Sequence, residues 1–449
     1  MMEEKKTIQG KLRQLAVILF PILITQLALC AMSFFDTMMS GHASQLDLAG
    51  VAIGTNLWMP VFTGINGILI GITPLIAQFH GAKNEQAISR AVIQGLYVAA
   101  AMGLTVIVGA IVLLPFVLAA MGLEPAVETI ARRFLGGIAF GVMPLFMSTI
   151  LRSFVDTLGY TRITMMITAG VLPLNILLNY LLIYGEWGFP RLGGAGAGYA
   201  SAISYWFILL ILAVTALKRK PFCHYRIFAT WPRPAWRDWQ SQLKLGVPIG
   251  TSIFFETSIF GVVGVLVAAF GTVTIAAHQA AINFASLVYM LPLSMSMALT
   301  ILVGFEVGAK REQDARQYAY LGLGAALTLA AFCAIGLWLY NGQVATLYTN
   351  DYDVWELTKQ FLLYAAFFQL SDAVAAPIQG ILRGYKDVNV PFIVAFVSYW
   401  VIGLPLGLFL SHFTAFGAFG YWVGFIVGLA FGATALVARL LKLQRKRRQ

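Results

Sequence analysis

"GAKNEQ" at residues 81–86 returns as "GAKREQ" at residues 308–313, and the interval, 308 − 81 = 227 residues, is about half of the 449-residue chain. The same interval carries Pro21 to Pro248, Ala49 to Ala276, Asn56 to Asn283 and Phe134 to Phe361. It also carries the basic cluster Lys218, Arg219, Lys220 to Arg445, Lys446, Arg447. One register held over most of the chain marks an internal duplication: whatever unit folds here, it folds twice.

Composition identifies the solvent of that unit. Hydrophobic residues make up 59% of the chain and charged residues 11%, against a charged share of about 25% in soluble domains. Twelve apolar spans follow one another, at 12–40, 47–78, 88–118, 129–153, 160–185 and 194–217, then 240–270, 274–305, 315–345, 355–382, 388–412 and 417–440. At a helical rise of about 1.5 Å per residue, each is long enough to cross a hydrocarbon core of about 30 Å. The short alternating segments of a membrane β-barrel do not occur. The fold class is therefore an all-α membrane protein with twelve transmembrane helices in two six-helix lobes. Six is an even number, so both lobes enter the membrane from the same side, related by a pseudo-two-fold axis along the membrane normal. The predicted division is an N-lobe over 1–217, a polar, proline-bearing cytoplasmic linker over 218–240, and a C-lobe over 241–449 ending in a basic tail. Repeated lobes of this kind are a transporter architecture, with the substrate path expected between them.

Of the 30 Lys and Arg residues, only Arg132, Arg133, Arg191 and Lys359 flank the second side of the membrane. The crowded side is cytoplasmic by the positive-inside rule, which puts both termini inside a multi-pass protein of the cell (plasma) membrane. Topology and anionic headgroups account for the net charge of +11, so the expected partner surface is the lipid bilayer and not nucleic acid. Cys30, Cys223 and Cys333 are far apart, and the five histidines lack zinc-binding spacings. No phosphate-binding GxxxxGK[ST] loop occurs, and no nucleophile, base and orienting group share a recognisable spacing, so the chain reads as no enzyme and needs no cofactor. The glycine run "GGAGAG" at 193–198 opens a span and reads as a close helix-packing surface.

Three of the 19 acidic residues fall inside spans: Asp36, Glu256 and Asp372. An Asp at the centre of a membrane helix costs ~2.5–3.5 kcal/mol, so these positions ask for a use. The interval of 227 pairs them with Val263, Leu29 and Leu145; the scaffold is duplicated and the acids are not. No basic residue is expected inside the membrane to neutralise them. A carboxylate away from water can take and release a proton near neutral pH, and two of them with neutral oxygens can hold a bare monovalent cation. Both roles fit an ion-coupled transporter, so the coupling ion reads as Na+ or H+, with Glu256 and Asp372 the candidate Na+ ligands. Asn175 and Asn179, four residues apart, share one helical face and are candidate helpers of Asp36, as is Ser201. Met32, Phe35 and Met39 lie on nearly the same face as Asp36, and such adaptable apolar groups are candidates for a substrate cavity.

The stretches "FFDTMMSG" (34–41), "GAKNEQ", "LRSFVDTLGYTR" (151–162), "FFETS" (254–258) and "QLSDA" (369–373) together resemble the multidrug and toxic compound extrusion (MATE) transporters, in particular the NorM-like branch, over essentially the whole chain. The resemblance implies a role for Asp36 in proton and cation coupling, with Asn175 and Asn179 beside it. It also implies a C-lobe cation site of Glu256 and Asp372, with Tyr289 of "LVYMLP" nearby. One departure is local: after Arg152 the family's glutamine-glycine-x-glycine-aspartate pattern reads Asp156-Thr157-Leu158-Gly159-Tyr160. The function implied is a secondary active multidrug efflux antiporter, working as a monomer, that exports small amphipathic organic cations and other lipophilic compounds in exchange for Na+ or H+. The alternative is a flippase of the same general fold for lipid-linked precursors, which is expected to line its cavity with several basic residues. A passive channel would need no repeated lobes.

Overall fold

The computed structural model describes residues 7–229 and 231–447. Twelve long apolar helices run through them, each able to cross a membrane: α1 (Ile8–Ala43), α2 (Gln45–Gly81), α3 (Glu85–Ala120), α4 (Pro125–Thr157), α5 (Thr161–Tyr184), α6 (Gly194–Lys218), α7 (Trp236–Ala268), α8 (Thr272–Gly308), α9 (Glu312–Thr346), α10 (Tyr352–Gly384), α11 (Asn389–Phe413) and α12 (Phe419–Lys446). Within α11, residues Val397–Gly403 form a π-helical segment.

The repeated hexapeptides are one device used twice. In the first, the backbone N–H of Lys83 donates to His80 and that of Asn84 to Phe79; in the second, Lys310 donates to Val307 and Arg311 to Glu306. Each is a helix-ending turn with its lysine in the left-handed region, at φ 56° and 59°. The chain reverses and the next helix begins at once, with Asn84 accepting from the Ala87 N–H at 3.0 Å in the first copy. The ends of α4 and α10 repeat the same turn, with Gly159 and Lys386 in the left-handed position, again 386 − 159 = 227 residues apart.

Two compact units result, and their limits differ from those expected at 217 and 241: one comprises residues 20–250, the other 7–19 and 251–447. The first helix of each half changes unit near its proline, Pro21 in α1 and Pro248 in α7. Hydropathy cannot reveal this, because an apolar run stays continuous while its packing partners change. In the second unit, Lys11 is buried, donates to Asp314 and Gln317, and lies 5.6 Å from the centre of the Tyr318 ring. In the first unit the equivalent positions hold Asp238 and Arg90, paired at 2.7 Å. Since 238 − 11 and 317 − 90 both equal 227, the geometry is repeated with the charge reversed.

Helices α4 and α10 occupy equivalent central places, α4 packing against α2, α3 and α6, and α10 against α8, α9 and α12. The glycine run on α6 makes one of these contacts close. A Cβ on Gly198 would lie 2.3 Å from the Phe134 carbonyl oxygen of α4, whereas one on Gly170, on the outer face of α5, would meet nothing within 4 Å. Gly198→Ala should therefore push two backbones apart and cost stability, by roughly 1–3 kcal/mol. Gly170→Ala should stabilise by about 0.5–1 kcal/mol, through the lower entropy of the unfolded helix. Thermal unfolding in detergent measures both, and shifts of the same sign would contradict the packing.

Candidate functional site

In the first unit, Asp36 of α1 is buried in a ring of neutral donors. Asn179 Nδ2 donates to Asp36 Oδ1 at 2.7 Å and Ser201 Oγ donates to Oδ2 at 2.5 Å. Asn179 Nδ2 also reaches Asn175 Oδ1 at 3.3 Å, and Asn175 Nδ2 reaches Ser201 Oγ at 3.5 Å. The two asparagines sit one turn apart on α5, so a single helix face supplies both amides. All four residues are at least nine-tenths buried. Asn179 Oδ1 faces this ring with no hydrogen-bond partner among the described residues. Tyr205, one turn beyond Ser201 on α6, lies within electrostatic range of Asp36; its place is set by the Ser201 spacing, which offers a sequence signal only after Ser201 is known to matter. Met32 and Met39 are packed in the hydrophobic core of this unit, and the Met39 carbonyl accepts from Tyr184 at 2.9 Å. Phe35 is half-buried, edge-on to Phe34 at 5.7 Å.

In the second unit, the direct partner of Glu256 is a neutral amide: Gln379 Nε2 donates to Glu256 Oε1 at 2.7 Å. Gln379 is in turn held by Arg383, whose Nη2 donates to its Oε1 at 3.1 Å. Asp372 is 5% exposed, and its Oδ2 has no hydrogen-bond partner among the described residues. Tyr289 of α8 and Tyr399 of α11 lie within electrostatic range of both carboxylates. Asp372, Gln379 and Arg383 fall at i, i+7 and i+11 on α10, one stripe of a helix. That polar periodicity is legible in "SDAVAAPIQGILRG" (371–384); Tyr399 has no such signal, because the π-helical segment that carries it shifts the helical register.

The expectation that no basic residue enters the membrane is corrected here. Arg383 is 7% exposed and lies within α10, which continues to Gly384, past the hydropathy limit at 382. In the first unit, α4 likewise continues past 153 to Thr157. It holds Arg152 in electrostatic contact with buried Asp156, which accepts from Thr164 Oγ1 at 2.5 Å. A charge in the last turn of a helix reads as loop to a hydropathy window, because the window averages it with the polar residues that follow. No three His, Cys, Asp or Glu side chains gather as a metal site among the described residues.

The family profile described as MatE matches residues 21–181 and again residues 248–409, copies that begin 248 − 21 = 227 residues apart. A curated protein of Bacillus thuringiensis subsp. konkukian, "Probable multidrug resistance protein NorM", is 53% identical over 99% of this chain and 98% of its own length. A protein of the same name from Halalkalibacterium halodurans is 54% identical over 99% and 97%. Among solved structures, the eukaryotic MATE transporter AtDTX14 superposes with a TM-score of 0.88 at 19% identity, covering 98% of this chain and 99% of that one. The two profile matches and the full-length identity give one conclusion: this multi-pass membrane protein belongs to the MATE family of transporters.

Proposed function

We propose that this protein is a secondary active antiporter of the plasma membrane that exports lipophilic, often cationic organic compounds in exchange for Na+ or H+, as a monomer with both termini in the cytoplasm. The observation that carries the reading is the ring around Asp36. Its carboxylate is buried in a membrane helix, and its two oxygens accept only from the neutral groups Asn179 and Ser201. Neutral donors hold the position of a carboxylate without cancelling its charge, so a mobile positive charge, proton or Na+, is what completes the site. The free Oδ2 of Asp372 makes the same demand in the second unit. An organic cation and a coupling cation that satisfy the same negative charge exclude one another, and that exclusion is the energetic basis of exchange. The names of the relatives, multidrug resistance protein NorM, agree with organic compounds as the cargo. Both buried arginines are engaged by acids or by Gln379, which weighs against a basic cavity for lipid-linked anions.

The coupling ion is decided by ethidium efflux from proteoliposomes under an imposed Na+ gradient alone and then under a pH gradient alone. Whichever gradient drives export identifies the ion, and export under neither overturns the antiport reading. Asp36→Asn is expected to abolish driven efflux while leaving expression and thermal stability near parental, since removing a buried charge relieves a cost; efflux at the parental rate would remove Asp36 from the mechanism. Glu256→Gln and Asp372→Asn should each weaken cation-stimulated efflux, and the double variant should be little worse than the worse single if the two acids serve one event. Full additivity in the same assay would assign them separate events.

A further inference from the structure

We propose that Arg383 is the resident counter-cation of Glu256, acting through Gln379, so that each unit keeps one uncompensated carboxylate in its interior: Asp36 in the first and Asp372 in the second. This rests on the cation-coupled reading above and assigns a positioning residue to it. Gln379 has only one orientation that serves both neighbours. Its NH2 donates to Glu256 Oε1 at 2.7 Å while its carbonyl oxygen accepts from Arg383 Nη2 at 3.1 Å. Turned over, the amide would set oxygen against carboxylate and NH2 against guanidinium, so the arginine polarises the amide toward the acid. Arg383 and Gln379 are each 7% exposed, and a guanidinium this far from water is tolerable only with a fixed negative partner. The other groups facing the relay are Tyr289 from α8, Tyr399 from α11 and Asp372 from α10 itself. Among these only Asp372 carries a second negative charge, and its Oδ2 has no partner among the described residues.

The duplication supplies an independent argument. Since 383 − 156 and 379 − 152 both equal 227, the relay positions of α10 correspond to Asp156 and Arg152 of α4. In the first unit those two residues face each other on successive turns and neutralise one another, leaving Asp36 alone. In the second unit the same two helix positions hold a neutral amide and an arginine, and they neutralise an acid brought by α7. Both units therefore end with a single negative charge awaiting a mobile cation, although they hold different numbers of acids near the site.

The test uses the full-length protein in proteoliposomes, with ethidium efflux measured against Na+ at fixed pH and against pH without Na+. Glu256→Gln leaves Arg383 opposing cation entry, and the half-saturating concentration of the coupling cation should rise about tenfold. Arg383→Gln leaves two acids for one cation. Its half-saturating concentration should fall by a similar factor, with a lower maximal rate as release slows. The double variant restores one negative charge and should return to within about threefold of the parent, as should Arg383→Lys, which keeps the charge. A merely structural arginine would not move the two single variants in opposite directions or let the double variant recover. Should Arg383→Gln fail to fold, the double variant compared with Glu256→Gln decides: about tenfold tighter cation dependence supports the relay, and none overturns it. A parent without cation dependence overturns the antiport reading and the inference with it. A cation-dependent parent whose Arg383 variants keep the parental half-saturation overturns the Arg383 assignment alone.

Discussion

Hydrocarbon offers a polar group nothing to bond with, and most of what is distinctive in this chain follows from that constraint. It makes every long element helical, since a helix satisfies its own backbone. It also sets how the helices meet. With no gain from hiding apolar surface among lipid tails, close approach has to come from small residues, as where Gly198 lets α6 lie against the Phe134 carbonyl of α4. And it requires that each buried charge bring its partners inside its own unit: Asn179 and Ser201 for Asp36, Thr164 and Arg152 for Asp156, Gln379 and Arg383 for Glu256.

The charged stripes lie on α4 and α10, the helices with the most neighbours in their units. A polar side chain on a peripheral helix would face lipid on one side; on a central helix it can be surrounded. Rigid positioning follows from the same packing. Gly380, beside Gln379, would place a Cβ 2.2 Å from the Ser296 carbonyl oxygen of α8, so the backbone that carries the relay is pressed against its neighbour with no room to drift. The second units of the two first helices obey the same logic at their polar ends, where buried Lys11 is fixed by Asp314, Gln317 and the Tyr318 ring.

How much of this the sequence disclosed depended on whether the signal was local. The twelve spans and the repeat were legible because hydropathy and a fixed interval of 227 residues need no knowledge of contacts. The Asp36 cluster was legible because Asn175 and Asn179 announce a shared face by spacing alone, and the structure brings them and Ser201 to the carboxylate. Gln379 escaped notice because a neutral amide near the end of a span raises no alarm, and Arg383 because its charge reads as the start of a loop. Tyr399 depends on a π-helical segment that no periodicity in the sequence marks. The limits of the units were hidden for another reason: α1 and α7 are each continuous in hydropathy while changing packing partners near Pro21 and Pro248.

The search for duplicated acids pairs Asp36, Glu256 and Asp372 with Val263, Leu29 and Leu145 and so describes the two halves as unlike. Counting bases at the same interval changes that description. Lys11 answers to Asp238, Gln317 to Arg90, Arg383 to Asp156 and Gln379 to Arg152; in each case the position kept its polar role and the sign or the presence of its charge changed. A duplicated helix pair conserves the places where a polar group can be enclosed, because those are set by backbone packing. Which charge occupies each place is free to drift as long as its partner within the unit drifts with it, since only an unmatched charge bears the full cost of burial. Electrostatic balance is thus a property of the unit, and an acid that looks solitary in a one-residue comparison may already be answered by a base two helices away in the fold.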